Sequence, residues 1–84
     1  MKIVNEKILT LEKNEFVELN TVCNGIWCKP FKLDLEAIQG LENLIWLSTS
    51  NIWWKPEAKG WEEEFMVLHS EPEKAIVKVR EVHH

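Results

Sequence analysis

The sequence predicts an α+β domain that is mainly β, with a small antiparallel sheet of about five strands and one short helix near residues 35–40. Short apolar segments, turn signals between them and a single helical pattern support this fold class. With 84 residues and no repeat or linker, the chain is expected to form a single domain, 1–84. Its composition, 45% hydrophobic and 29% charged, is typical of globular proteins.

The first 22 residues are compatible with two interpretations. Apolar side chains alternate with polar ones in two short segments, at Leu9, Leu11, Val17 and Leu19. Residues 13–15 suit a turn between these segments, which predicts a hairpin with Thr10, Glu12 and Glu18 facing water. The alternative, based on a helical spacing of apolar residues, is one helix over residues 4–20.

The pair Asn24-Gly25 is the strongest turn signal in the chain, because both residues tolerate a positive φ. Residues 26–33 follow as a strand that is interrupted at Pro30. Since proline cannot donate a hydrogen bond to a neighbouring strand, this strand is expected to lie at a sheet edge or to end there.

A short helix is predicted next, with Asp34 as its N-cap and Gly40 as its end. Leu35, Ile38 and Leu41 share one face of this helix. With barely two turns, the helix must be stabilised by packing.

Residues 44–61 contain four of the five tryptophans. The segment begins with a continuous apolar run that includes Trp46, and we expect this run to form a strand at the centre of the sheet. Residues 55–60 are predicted to form a loop that Trp61 closes.

The acidic run 62–64 is predicted to be solvated and to lead into a strand over residues 65–69. Residues 70–73 are predicted to form a turn. The last strand is expected at residues 75–82, where Lys78 and Arg80 would face water and the alternate side chains would face the core.

The loop 51–61 is the candidate contact surface. Neighbouring Trp53 and Trp54 point to opposite faces of an extended chain, so at least one tryptophan of this region is expected to face solvent, and Trp54 is our choice. The candidate binding residues are Trp53, Trp54, Lys55, Lys59 and Trp61. The adjacent acidic run would repel a phosphate backbone, which favours a protein partner or a homo-oligomer over a nucleic acid.

Charge and hydropathy exclude several classes of function. The net charge of −4 disfavours general binding of nucleic acid. No apolar run approaches the roughly 20 residues of a membrane helix, and the N-terminal residues turn polar too early for a signal peptide. These features predict a cytoplasmic protein with no membrane partner.

No residues form a recognisable catalytic set, so we predict no enzymatic activity and no cofactor. His69 is the only histidine outside the C-terminal pair, and one histidine defines no triad. Cys23 and Cys28 are expected to be reduced thiols without metal, because their spacing fits no standard zinc site.

Three segments carry a resemblance to a known family: residues 24–30 (NGIWCKP), 46–49 (WLST) and 54–58 (WKPEA). The pattern is similar to that of small bacterial and phage relatives of ADP-ribosyltransferases and RNA 2′-phosphotransferases. The resemblance implies a nucleotide-binding protein with Ser48 on the nucleotide side of a strand. It departs from the family in residues 1–22, which hold no His or Tyr for the nucleotide-gripping triplet, and at Lys55, where the family has an acidic residue.

Two functions are therefore predicted. The first is a small acidic protein-interaction module of the kind encoded by phages or mobile elements as inhibitors or immunity proteins, with the loop 51–61 as its contact surface. The alternative, implied by the resemblance, is a degenerate nucleotide-binding relative of the ADP-ribosyltransferases.

Overall fold

The computed structural model describes residues 2–41, 52–55 and 60–84. These residues form seven strands and one helix: β1 (Lys2–Glu12), β2 (Phe16–Leu19), β3 (Thr21–Cys23), β4 (Ile26–Trp27), β5 (Phe31–Asp34), α1 (Leu35–Gln39), β6 (Gly60–Ser70) and β7 (Lys74–His83). The predicted class, mainly β with one short helix, is confirmed. In the described part of the chain, no helix is long and apolar enough to cross a membrane.

Five of these strands form one antiparallel sheet in the order β1-β7-β6-β3-β4, and β2 and β5 form a separate antiparallel ladder. Among the described strands, β6 is therefore the central one. The strand predicted at the centre of the sheet, with Trp46, falls within residues 42–51 and so lies outside the described ranges.

The N-terminal residues form two strands joined by a turn with Asn14 at φ 70°, so the single-helix alternative is wrong. The predicted hairpin is also wrong, because β1 pairs with β7 and not with β2. The reason is length. β2 has four residues, whereas β7 offers β1 a ladder that runs from Lys2 to Glu12 with one irregularity.

The hydrophobic core lies between the five-stranded sheet, the β2–β5 ladder and α1. Its members are side chains with little or no exposure, contributed by six elements: Leu11, Leu19, Leu33, Ile38, Phe65, Ala75, Val77 and Val79. Thr10, Glu12 and Glu18 are exposed, as the alternating pattern predicted. Burial of apolar area at about 25 cal/mol per Å² makes this cluster the main source of stability.

Helix α1 begins and ends where the sequence predicted. The Asp34 carboxylate accepts a hydrogen bond from the Ala37 amide at 2.9 Å, and the Gly40 amide donates to the Glu36 carbonyl at 3.0 Å. Ile38 is buried, so the predicted apolar face packs on the core. The helix thereby packs against β5, β6 and β7.

Candidate binding surface

The sequence-predicted contact residues fall into two groups. Trp53, Trp54, Lys55 and Trp61 belong to the described residues, whereas Lys59 lies outside them. Ser48, which the family resemblance implicates, also lies outside. Trp53, Trp54 and Trp61 are each half-buried and not exposed.

Trp54 packs on the core, contrary to its predicted outward orientation. Its amide donates to the Phe65 carbonyl at 2.8 Å, and the Phe65 amide donates back to the Trp54 carbonyl at 2.9 Å. The two rings are stacked with centroids 5.8 Å apart, and Phe31 also stacks on Phe65 with a centroid distance of 6.3 Å. Trp54 thus extends the edge of the hydrophobic cluster.

Trp53 lies on the opposite face, as the parity argument predicted. Its ring is covered by the guanidinium of Arg80, whose Cζ is 3.9 Å from the ring centroid. Arg80 Nε also donates to Glu64 Oε1 at 2.8 Å. The Arg80 side chain is only 15% exposed, so the prediction that it faces water is wrong.

The acidic run is also buried where solvation was predicted. Glu62 is fully buried, and Glu64 nearly so. Glu62 Oε1 lies 3.4 Å from Lys55 Nζ and 2.8 Å from His84 Nε2, while Oε2 has no hydrogen-bond partner within the described ranges. A buried carboxylate is tolerated only when it is paired. Lys55 therefore supports the fold in addition to any contact role.

The remaining residue of the acidic run, Glu63, is hydrogen-bonded to Asn20, the residue that precedes β3. Its Oε1 accepts hydrogen bonds from the backbone amide and the side-chain amide of Asn20, each at 3.1 Å. The Glu63 amide donates to the Asn20 carbonyl at 2.9 Å. These contacts hold the start of β3 against β6.

Among the tryptophans that the structure describes, the exposed one is Trp27, in the two-residue strand β4. Its side chain is 65% exposed, and its neighbour Ile26 is 71% exposed. The Trp27 ring makes an edge-to-face contact with Trp61, with centroids 5.4 Å apart and an interplanar angle of 75°. On its other side, Trp61 contacts the ring of His83 at 5.8 Å. Trp27 is thus exposed, and its ring packs against Trp61, which in turn contacts His83.

The hairpin that presents Trp27 has the predicted tight turn. Asn24 and Gly25 have φ values of 54° and 78°, as the two central residues of a type I′ turn require. Val22 faces Trp27 across the ladder, and the Cys28 amide donates to the Thr21 carbonyl at 3.0 Å. We call the segment from Thr21 to Cys28 the β3–β4 hairpin. It forms one edge of the described sheet, where Ile26 and Trp27 expose apolar surface.

Sequence reasoning missed Trp27, although a signal for it was present. The residue lies two positions after a reliable turn and three before Pro30, which predicted an edge strand. Among the described strands, none lies beyond β4 on its outer flank.

Within the described residues, no group of three or more His, Cys, Asp or Glu side chains could hold a metal ion. Cys23 and Cys28 are half-buried and not bonded to each other. His69 lies 3.3 Å from Glu71 at the surface. The chemistry available at the β3–β4 hairpin is therefore apolar and aromatic contact.

Comparison with protein-family models, curated proteins and solved structures found no match. The resemblance to ADP-ribosyltransferases accordingly stays a hypothesis that rests on residues 24–58 alone.

Proposed function

We propose that this chain is a protein-interaction module whose contact surface is the β3–β4 hairpin, with Trp27 at its centre. The observation that carries the proposal is that Trp27 is 65% exposed while its ring is held by an edge-to-face contact with Trp61. The predicted loop 51–61 contributes through Trp61, which is the support, whereas Trp53 and Trp54 pack on Arg80 and Phe65.

Exposing an indole to water and fixing its orientation both cost free energy. An exposed tryptophan lowers solubility, and Ile26 beside it adds to the apolar surface. An indole already held in one orientation loses little conformational entropy when a partner covers it. Tryptophan is among the residues most enriched at binding hot spots for these reasons.

The class of partner follows from the chemistry of the surface. The hairpin offers apolar contact and a strand edge, and the chain as a whole carries a net charge of −4. Such a surface suits an apolar patch on another protein, where an edge strand can also add to a sheet. A small acidic protein that covers such a patch fits an inhibitor or immunity protein.

The proposal is tested by comparing two truncations of exposed apolar side chains. Ile52 is exposed and lies in the loop 51–61, so Ile52→Ala is the matched control for Trp27→Ala. Each variant is immobilised and exposed to a lysate of the native host, and bound proteins are quantified by mass spectrometry. We expect Trp27→Ala to reduce capture of a specific protein by about 30-fold, the effect of a hot spot of 2 kcal/mol. Loss with Ile52→Ala and not with Trp27→Ala would return the contact surface to the loop.

A further inference from the structure

A second surface lies at the opposite end of the sheet. Strand β1 is the outermost described strand on that side, and every side chain from Lys2 to Ile8 is exposed. Three of these are apolar: Ile3 is 47%, Val4 50% and Ile8 61% exposed. A long edge strand with apolar side chains is a template for pairing with another strand, unless charges or a bulge prevent it.

The bulge in β1 divides this edge into two parts. The register with β7 shifts between Ile3 and Asn5, whereas the segment from Asn5 to Glu12 pairs without interruption. Side chains of the regular segment alternate between the two faces of the sheet. On the core side lie Asn5, Lys7, Leu9 and Leu11, and on the other side lie Glu6, Ile8, Thr10 and Glu12. Only the regular segment can continue the sheet.

Antiparallel pairing of this segment with its own copy is restricted by symmetry. A two-fold axis perpendicular to the sheet reverses the strand and preserves its faces, so each residue must meet one from the same face. The axis must therefore pass through a residue. This leaves a small set of registers, each defined by the residue at its centre.

Charge excludes most of these registers. An axis at Glu6 or at Lys7 places two identical charges directly opposite each other. An axis at Leu9 places Glu6 opposite Glu12 twice. An axis at Thr10 avoids facing like charges but pairs only the five residues from Ile8 to Glu12, and it sets Ile8 against a carboxylate.

An axis at Ile8 gives the longest pairing without facing like charges, over the seven residues from Asn5 to Leu11. Ile8 then meets Ile8 of the second copy, Lys7 meets Leu9, Glu6 meets Thr10, and like charges nowhere face each other. The Glu6 carboxylate is already held by Lys78 Nζ at 2.8 Å, so its charge is compensated beside the axis. Ile8, the most exposed apolar side chain of β1, becomes covered.

We propose that a second copy of this chain pairs with β1 in this register, which joins the two five-stranded sheets into one of ten strands. The interaction is isologous and removes the longest open edge of the described sheet. It uses the side opposite Trp27, so both surfaces can be occupied at once, and the two proposals stand or fall separately.

The first test compares two substitutions on the same strand by sedimentation equilibrium over a range of protein concentrations. Ile8→Lys places two lysines at the axis, whereas Ile3→Lys, at a similarly exposed position, lies outside the paired segment. We expect a wild-type dimer, at least a tenfold weaker dimer for Ile8→Lys, and a change below about threefold for Ile3→Lys. A wild-type monomer at all concentrations would overturn the proposal, as would equal weakening by both variants.

The second test reads the register. A residue on the axis faces itself, so Ile8→Cys should cross-link to a covalent dimer with a short bismaleimide. Ile3→Cys and the wild type, which retains Cys23 and Cys28, should not. Cross-linking of Ile3→Cys in preference to Ile8→Cys would contradict the register. A dimer that Ile8→Lys leaves intact but Trp27→Ala dissociates would overturn β1 pairing and support self-association through the β3–β4 hairpin.

Discussion

The guanidinium of Arg80 lies over the ring of Trp53, with Cζ 3.9 Å from the ring centroid. The same side chain donates from Nε to the nearly buried Glu64 at 2.8 Å. An arginine suits this position because its planar group can stack on an aromatic ring and bond a carboxylate in its own plane. Trp53, predicted to bind a partner, and Arg80, predicted to face water, therefore contact each other within the folded protein.

Removal of Arg80 should therefore be costly. Arg80→Ala leaves Glu64 buried without its partner, and we expect a loss of about 3 kcal/mol in the free energy of unfolding, measured with urea. The matched control is Lys78→Ala on the same strand, which breaks an exposed pair with Glu6 and should cost under about 1 kcal/mol. Equal costs would mean that the Arg80 contacts contribute no more than a surface ion pair.

The two tryptophans Trp27 and Trp54 should differ in their contribution to stability. Trp54 stacks on Phe65 at the edge of the core, so Trp54→Ala should cost about 3 kcal/mol. Trp27 is mostly exposed and loses mainly its contact with Trp61, so Trp27→Ala should cost about 1 kcal/mol. Thermal unfolding followed by circular dichroism checks both values, and the reverse order would contradict the assignment of their roles.

Two glycines with positive φ should respond differently to alanine. At Gly60, φ is 116° and a Cβ would come within 2.8 Å of the Val22 carbonyl oxygen. At Gly25, φ is 78° and a Cβ would meet no atom within 4 Å. We expect a cost of about 1 kcal/mol for Gly25→Ala and more than about 2 kcal/mol for Gly60→Ala in urea unfolding. A larger cost at Gly25 than at Gly60 would contradict the close approach of β3 to Gly60.

The bulge at Leu68 sets which charges meet across β6 and β7. Ser70 and His69 face Ala75 and Ile76, but from Val67 onward the register shifts by one, so Glu64 faces Arg80. Without the shift, Glu64 would face Glu81. Deletion of Leu68, in contrast, removes the unpaired residue itself, so Val67 still faces Val77 and Glu64 still faces Arg80, and thermal unfolding should remain cooperative.

Leu68→Ala provides the control for this deletion. The substitution keeps the residue count and truncates an exposed side chain, so it should cost under about 1 kcal/mol. A deletion variant that loses cooperative unfolding while Leu68→Ala retains it would contradict the assignment of Leu68 as the unpaired residue.

The features that the sequence predicted correctly are those that neighbouring residues decide. The turn at Asn24 and Gly25 depends on two residues that tolerate positive φ, and the start of α1 depends on the Asp34 cap. Burial of Glu64 was missed because it depends on Arg80, sixteen residues away, and on a bulge that brings the two together. If residues are paired outward from the turn without the bulge, Glu64 is placed opposite Glu81 instead of Arg80.

The exposure of Trp27 was missed for a related reason. Four tryptophans close together in sequence indicated a surface, but the exposure of a side chain depends on what packs over it. Phe65 and Arg80 cover Trp54 and Trp53, and both come from β6 and β7. Trp27 stands in a two-residue strand at the edge of the described sheet, where its side chain remains 65% exposed.

The central claim, that Trp27 contacts a protein partner, is tested most directly by photo-cross-linking in the native host. Benzoylphenylalanine replaces Trp27 in one variant and Phe16, another exposed aromatic residue, in the control. We predict that the variant at position 27 forms a covalent adduct with one defined protein and that the variant at position 16 forms none. Absence of an adduct at position 27, or the same adduct at equal yield from position 16, would contradict the proposed contact surface.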